Sequence, residues 1–283
     1  MASITHDQWE GARTSLEETG DRFSEMVSSA RDPEALATVS WSVAETAAHM
    51  AALAWLATHM VAPDEVPLAS PAISNSIPTT INDTVADFND LTLRYFTERD
   101  LRALAHRLRA DVDRLLRTTD GLDPAQTVTW LGDSRVPVAG IVAHLLNELQ
   151  IHGRDIARAL RTRWIVPPQE AALFFELFLV GVTRHGYGRL LDNDEPPRAR
   201  RIAVEFHSRY TSPVAFVLHN GHVTVEEPGH HADVRLSFDP VTLNLMLFGR
   251  VGKPRAVLTG KVVVGGRRPW LLPAFLRKMR LPS

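Results

Sequence analysis

Residues 144–155 read HLLNELQIHGRD and place His144, Glu148 and His152 at successive four-residue steps. Each step turns about 40° around an α-helix, so all three side chains project from one side. Ile141, Leu145, Leu149, Ile151 and Ile156 make the same helix apolar around most of its circumference. A helix of that kind is enclosed by other helices, and a carboxylate held between imidazoles inside it needs a partner for its charge. Helical bundles build metal sites from facing side chains of this sort. The stretch therefore predicts a helical bundle with an ionisable cluster in its interior.

Working outward, Pro137 suits the first position of this helix, which is expected to reach about Leu160. Upstream, Trp9, Ala12, Leu16, Phe23 and Met26 keep a helical spacing across residues 6–29. Ser42 and Glu45 form the capping-box pattern that opens a second helix running to about Val61. His49 lies on its run of small and apolar residues and is expected to point inward, as a ligand or as a satisfied core histidine. The capping box accounts for Glu45. His59 falls about 80° from His49 around the helix, and His106 stands among Arg102, Arg107 and Arg109 on a solvated face.

Residues 63–80 contain four prolines and read as a long irregular loop, a candidate lid or substrate wall. One amphipathic helix is expected from Thr84 to Thr118, and a very apolar one from Gln169 to about Leu191. The segment DNDEPPRARR, residues 192–201, breaks the pattern, and the domain boundary is placed between 192 and 193. Beyond it the period switches to two, with strands RIAVEF, PVAFVLH, HVTVEE and ADVRLSF and a hairpin turn at Asn220-Gly221. A helix (239–250), a strand (258–266) and a closing helix (269–279) complete a small α+β domain. The fold class is thus α+β with two domains, a helical one at 1–192 and an α+β one at 193–283.

Composition narrows the function. A formal charge of −2 argues against a protein that coats nucleic acid. With no cysteine, thiolate metal sites and a protein thiol nucleophile are excluded, so any thiol chemistry needs an external thiol. No apolar run approaches a membrane span, and the N-terminal residues lack a signal-peptide layout, so a cytoplasmic protein with neither nucleic acid nor membrane as partner is expected. Arginine outnumbers lysine 28 to 3, the bias of a GC-rich, actinobacterial kind of genome. Phosphate-loop, dinucleotide and serine-hydrolase motifs are absent.

WSVAETAAHM (41–50), with Trp41, Ser42 and His49, and NELQIHGRDIARAL (147–160), with Glu148, His152 and Asp155, resemble the mycothiol-dependent maleylpyruvate isomerase family. The resemblance implies a DinB-like four-helix bundle holding a divalent metal, usually zinc, through His49, Glu148 and His152. It implies mycothiol as co-substrate and a small organic substrate. Residues 232–279 are similar to sterol-carrier-protein-like domains, which occur with such bundles in that family.

On this reading the ion binds the sulfur of the thiol, and the protein is an isomerase or a thiol S-transferase. Asp155 is a candidate to orient a ligand imidazole or bind an amino group of the thiol, and Arg154 to meet a substrate carboxylate. His144 is a supporting partner, an alternative ligand or a satisfied core group. Two other readings stand beside it: a hydrolase on the same metal, and a carrier or sensor of an apolar ligand.

Overall fold

The structure is a computed structural model that describes residues 4–68, 70–193, 199–229 and 231–279. Its first part is helical: α1 (His6–Ser28), α2 (Val43–Val61), α3 (Pro71–Ser76), α4 (Val85–Tyr95), α5 (Leu101–Thr118) and α6 (Val138–Ala159). α1 and α2 each pack against both α5 and α6, forming a four-helix bundle. A small ribbon of β1 (Thr127–Thr129) and β2 (Arg135–Pro137) leads into α6. Both capping boxes form: Thr5 with Gln8 on α1, and Ser42 with Glu45 on α2. Each satisfies backbone donors at a helix start, the first at the surface and the second partly buried.

The expected helix from Thr84 to Thr118 is two helices. α4 ends at Phe96, whose backbone leaves the helical region (φ −87°, ψ 80°). Asp100 then caps α5 by accepting from the amides of Arg102 and Ala103, while the Arg99 guanidinium closes the turn on the Phe96 and Glu98 carbonyls. The apolar period that suggested one helix belongs to α5 alone (Leu101, Leu104, Leu108, Val112 and Leu115), and no Gly or Pro marks the break before it. The 63–80 loop is also more ordered than expected. Ser70 caps α3, and Ile73 and Ile77 anchor the segment in the core.

After α6 the chain forms α7 (Pro168–Leu173), a π-helical stretch (Phe174–Leu179) and α8 (Val180–His185). Gly186, at φ 112°, ends this run six residues before the boundary expected from sequence. Part of that boundary, residues 194–198, lies outside the described residues.

The second part is a five-stranded sheet in the order β5-β4-β3-β6-β7, from β3 (Ile202–Ser208), β4 (Thr211–His219), β5 (His222–Glu226), β6 (Val234–Phe238) and β7 (Val262–Gly265). β3 and β6 are parallel and the other neighbours antiparallel. The Asn220-Gly221 hairpin forms with both residues at positive φ, as its turn type demands. Helices α9 (Pro240–Leu247), α10 (Lys253–Leu258) and α11 (Leu272–Lys278) connect and close the sheet. The short α10 had no periodic signal of its own.

One face of the sheet packs against the π-helical stretch. Phe175, buried on the helical side, meets Phe206, Phe216 and Phe238 at centroid distances of 5.4, 5.9 and 4.9 Å. Full burial of one such ring is worth about 1.5–3 kcal/mol. The buried Asn244 of α9 donates to Asn147 Oδ1 on α6 at 2.9 Å and to the Ala171 carbonyl at 3.0 Å. These contacts fix α9, and the turn that follows it, against the bundle.

A candidate metal centre

Two helices bring the donors together. The Ser42 cap sets the start of α2 and puts His49 two turns inside the bundle, 3% exposed. α6 presents His144, Glu148 and His152 along one side, as their spacing requires. Ligand atoms of His49, Glu148 and His152 all lie within 4.8 Å of one another. The His49 and His152 rings meet edge to face at 5.1 Å, and the Trp41 ring lies 4.7 Å from the first and 6.1 Å from the second.

At two of the three donors, His49 and Glu148, electrostatics favours the form that binds metal. Burial, helped by the neighbouring His152, lowers the His49 pKa to about 3, so this imidazole is neutral. Burial alone would raise the Glu148 pKa, but His152 and the other imidazoles outweigh it and bring it to about 2, keeping the carboxylate ionised. Glu148 stands 3.5 Å from His152 Nε2 and 3.7 Å from His144 Nε2, too far for strong hydrogen bonds. His49 Nδ1 is buried with no hydrogen-bond partner among the described residues. Two imidazoles and an ionised carboxylate at these separations fit a divalent cation of the zinc class.

His152 has a further neighbour. Its Nδ1 faces Asp155 Oδ2 at 3.5 Å, and the same carboxylate oxygen accepts from Arg250 Nη2 at 2.7 Å and Nε at 3.1 Å. Burial would lower the His152 pKa; Asp155 and Glu148 raise it overall. A carboxylate behind a ligand imidazole fixes the ring and strengthens it as a donor. Arg250 arrives from the sheet part: Asp239 caps α9, Gly249 turns the chain at φ 71°, and Arg250 Nη1 holds the Phe248 carbonyl. Sequence reasoning missed Arg250. Its only local signal was the Gly-Arg pair after an apolar helix.

His144 lies outside the donor group. It is set among Trp130 (4.9 Å), Phe178 (4.7 Å) and Phe174 (6.4 Å), and burial lowers its pKa. Arg154 stands about 200° around α6 from His152 and does not line the cavity, whereas Asp155 does. The donors border a cavity of about 1020 Å³. Its walls come mainly from α2, α4 and α6, with the 38–41 turn, Trp130 and Leu131, the π-helical stretch and Arg250, and no described residue of 63–80 takes part. The wall expected from the long loop is α4, because Ile73 and Ile77 bind the loop into the core instead.

Residues 15–156 match the DinB superfamily, and the chain belongs to it. By structure the chain is similar to the mycothiol-dependent maleylpyruvate isomerase and to a histidine-to-alanine mutant of that enzyme. In each case the TM-score is 0.51 and the identity 15%, over 94% of this chain and 96% of the other. That likeness is one of fold, mixing helices and sheet in the same arrangement. No curated protein matches the sequence.

Proposed function

We propose that His49, Glu148 and His152 hold a divalent ion, zinc by donor chemistry, and that the protein is a thiol-dependent isomerase or S-transferase acting on a small organic substrate, with mycothiol as the thiol. The observation that carries this reading is the convergence of three buried donors at the wall of a cavity large enough for a thiol and a substrate together. When bound, the ion supplies positive charge that keeps a sulfur ligand as thiolate, the nucleophilic form. With no cysteine in the chain, that sulfur comes from outside. The fold likeness to the mycothiol-dependent isomerase supports the choice of thiol.

The chain's own residues have separate tasks. Trp41 covers both imidazoles and limits water at the donors. Asp155, held by Arg250, orients His152. In the isomerisation, the thiol sulfur adds to one carbon of a conjugated double bond, rotation follows about the resulting single bond, and loss of the same thiol restores the double bond in the other geometry. S-transfer stops after addition or displacement. We place the division of labour at residues 1–192, the DinB-like metal domain, and 193–283, a sterol-carrier-like domain that supplies Arg250.

The test is metal analysis of the purified protein and of His49→Ala, followed by turnover assays with and without mycothiol. Stoichiometric zinc that falls severalfold in the variant, and turnover that needs the thiol, are expected. Equal metal content in the variant overturns the site; thiol-independent hydrolysis overturns the reaction.

A further inference from the structure

Charge is unevenly distributed along this chain. Residues 240–283 hold nine of the 31 basic residues, including all three lysines, and none of the 33 acidic ones. This segment therefore carries +9 and the remainder −11. Four of its cations, Lys253, Arg255, Arg267 and Arg277, are exposed and have no ion-pair partner among the described residues. The others with described surroundings are engaged: Arg250 with Asp155, Lys261 with Asp239, Arg268 with Asp233 and Lys278 with the Leu191 carbonyl.

Exposed apolar side chains concentrate in the same place. Of eight large hydrophobic residues exposed among those described, four fall between 257 and 270: Val257, Leu258 at 86%, Val263 and Trp270 at 67%. Single exposed apolar residues are ordinary; four in fourteen, one an indole, form a patch that needs a partner. They follow the free edge of the sheet. β7, the last strand in the order, carries Val263; α10, packed on β7, carries Val257 and Leu258; the turn after β7 carries Trp270.

We infer that this edge is a docking surface for an anionic membrane, with Trp270 and Leu258 entering the interface and the unpaired cations meeting lipid headgroups. Interfacial binding strengthens with both buried apolar area and electrostatic attraction to anionic lipid. Nucleic acid would use the cations but gain nothing from three exposed aliphatic side chains. The opposite charge of the rest of the molecule turns this face toward a negative surface. Among the described residues no helix is long and apolar enough to cross a membrane, so the contact is peripheral. A peripheral membrane contact runs against the expectation, drawn from the sequence, of no membrane as partner.

The full-length protein is sedimented with phosphatidylcholine vesicles with and without phosphatidylserine, at low and high salt. Binding is expected only with phosphatidylserine, and salt is expected to weaken it. The double variant Arg255→Ala/Arg267→Ala should bind about thirtyfold more weakly, at about 1 kcal/mol for each cation lost. Trp270→Ala should lower binding about tenfold at unchanged metal content and melting temperature. No binding to either vesicle, equal binding to both, binding unchanged in the variants, or self-association through this face without vesicle binding each overturns the proposal.

Discussion

Replacing Arg250 with alanine tests whether the sheet part governs the metal centre. Arg250 donates twice to Asp155 Oδ2, at 2.7 and 3.1 Å, and Asp155 is 1% exposed. Removing one partner of a buried pair leaves an uncompensated charge, at a cost of about 3–5 kcal/mol. The Arg250 side chain is itself 18% exposed, so water can enter the gap and the lower end of that range applies. The freed carboxylate no longer holds a fixed position behind His152 Nδ1, and loss of such a supporting group lowers metal affinity about 10–100-fold. Zinc affinity is measured by chelator competition on the parent, Arg250→Ala, Asp155→Asn and the double variant. The two single losses should overlap, so the double variant binds little worse than either alone. Parent-like affinity in Arg250→Ala, or losses that simply add, would refute the coupling and leave Asp155 and Arg250 as an ordinary buried ion pair.

Two further changes probe the scaffold. A Cβ at Gly153 would lie 2.3 and 2.4 Å from atoms of the Trp164 ring, which Arg22 covers at 4.3 Å and Phe23 meets at 6.2 Å. Gly153→Ala should therefore lower stability by about 1–3 kcal/mol in denaturant melts despite alanine's better helix propensity; a more stable variant would show that the ring moves freely. Burial raises the Asp111 pKa on the inner face of α5, against the pull of Arg107. A carboxyl whose folded pKa is raised costs stability above that pKa, and the cost disappears as pH falls through it. Asp111→Asn should thus melt no lower than the parent at neutral pH, with any advantage shrinking on acidification. A lower melting temperature at neutral pH would mean that the Arg107 pair outweighs the burial cost.

The helical scaffold was legible because its signals are local. The Ser42–Glu45 box, the i, i+4 spacing on α6 and the Asn220-Gly221 turn each act within a few residues, and each formed. His49 required long-range information, since an inward histidine is equally well a ligand or a core group until α6 is placed beside it. The break at Phe96 escaped because residues 93–101 hold no Gly or Pro, and Asp100 caps α5 only once the chain has turned there. Arg250 escaped for the same physical reason as the cavity wall on α4: its role is set by packing between segments 95 residues apart in sequence.

That separation bears on how the centre is built. The bundle alone supplies all three donors, yet His152 faces Asp155, whose charge is balanced from the far side of the chain. Asn244 and Phe175 hold the two parts together with buried contacts that have no solvent-exposed substitute. If the sheet part shifts, Asp155 loses its cation and becomes a buried, unpaired carboxylate beside an imidazole. The electrostatically cheapest response is then to draw a proton onto His152, and a protonated imidazole is no ligand. For the proposed metal site, the helices set where the donors stand, and the sheet part, through Arg250 and Asp155, bears on the protonation of one of them.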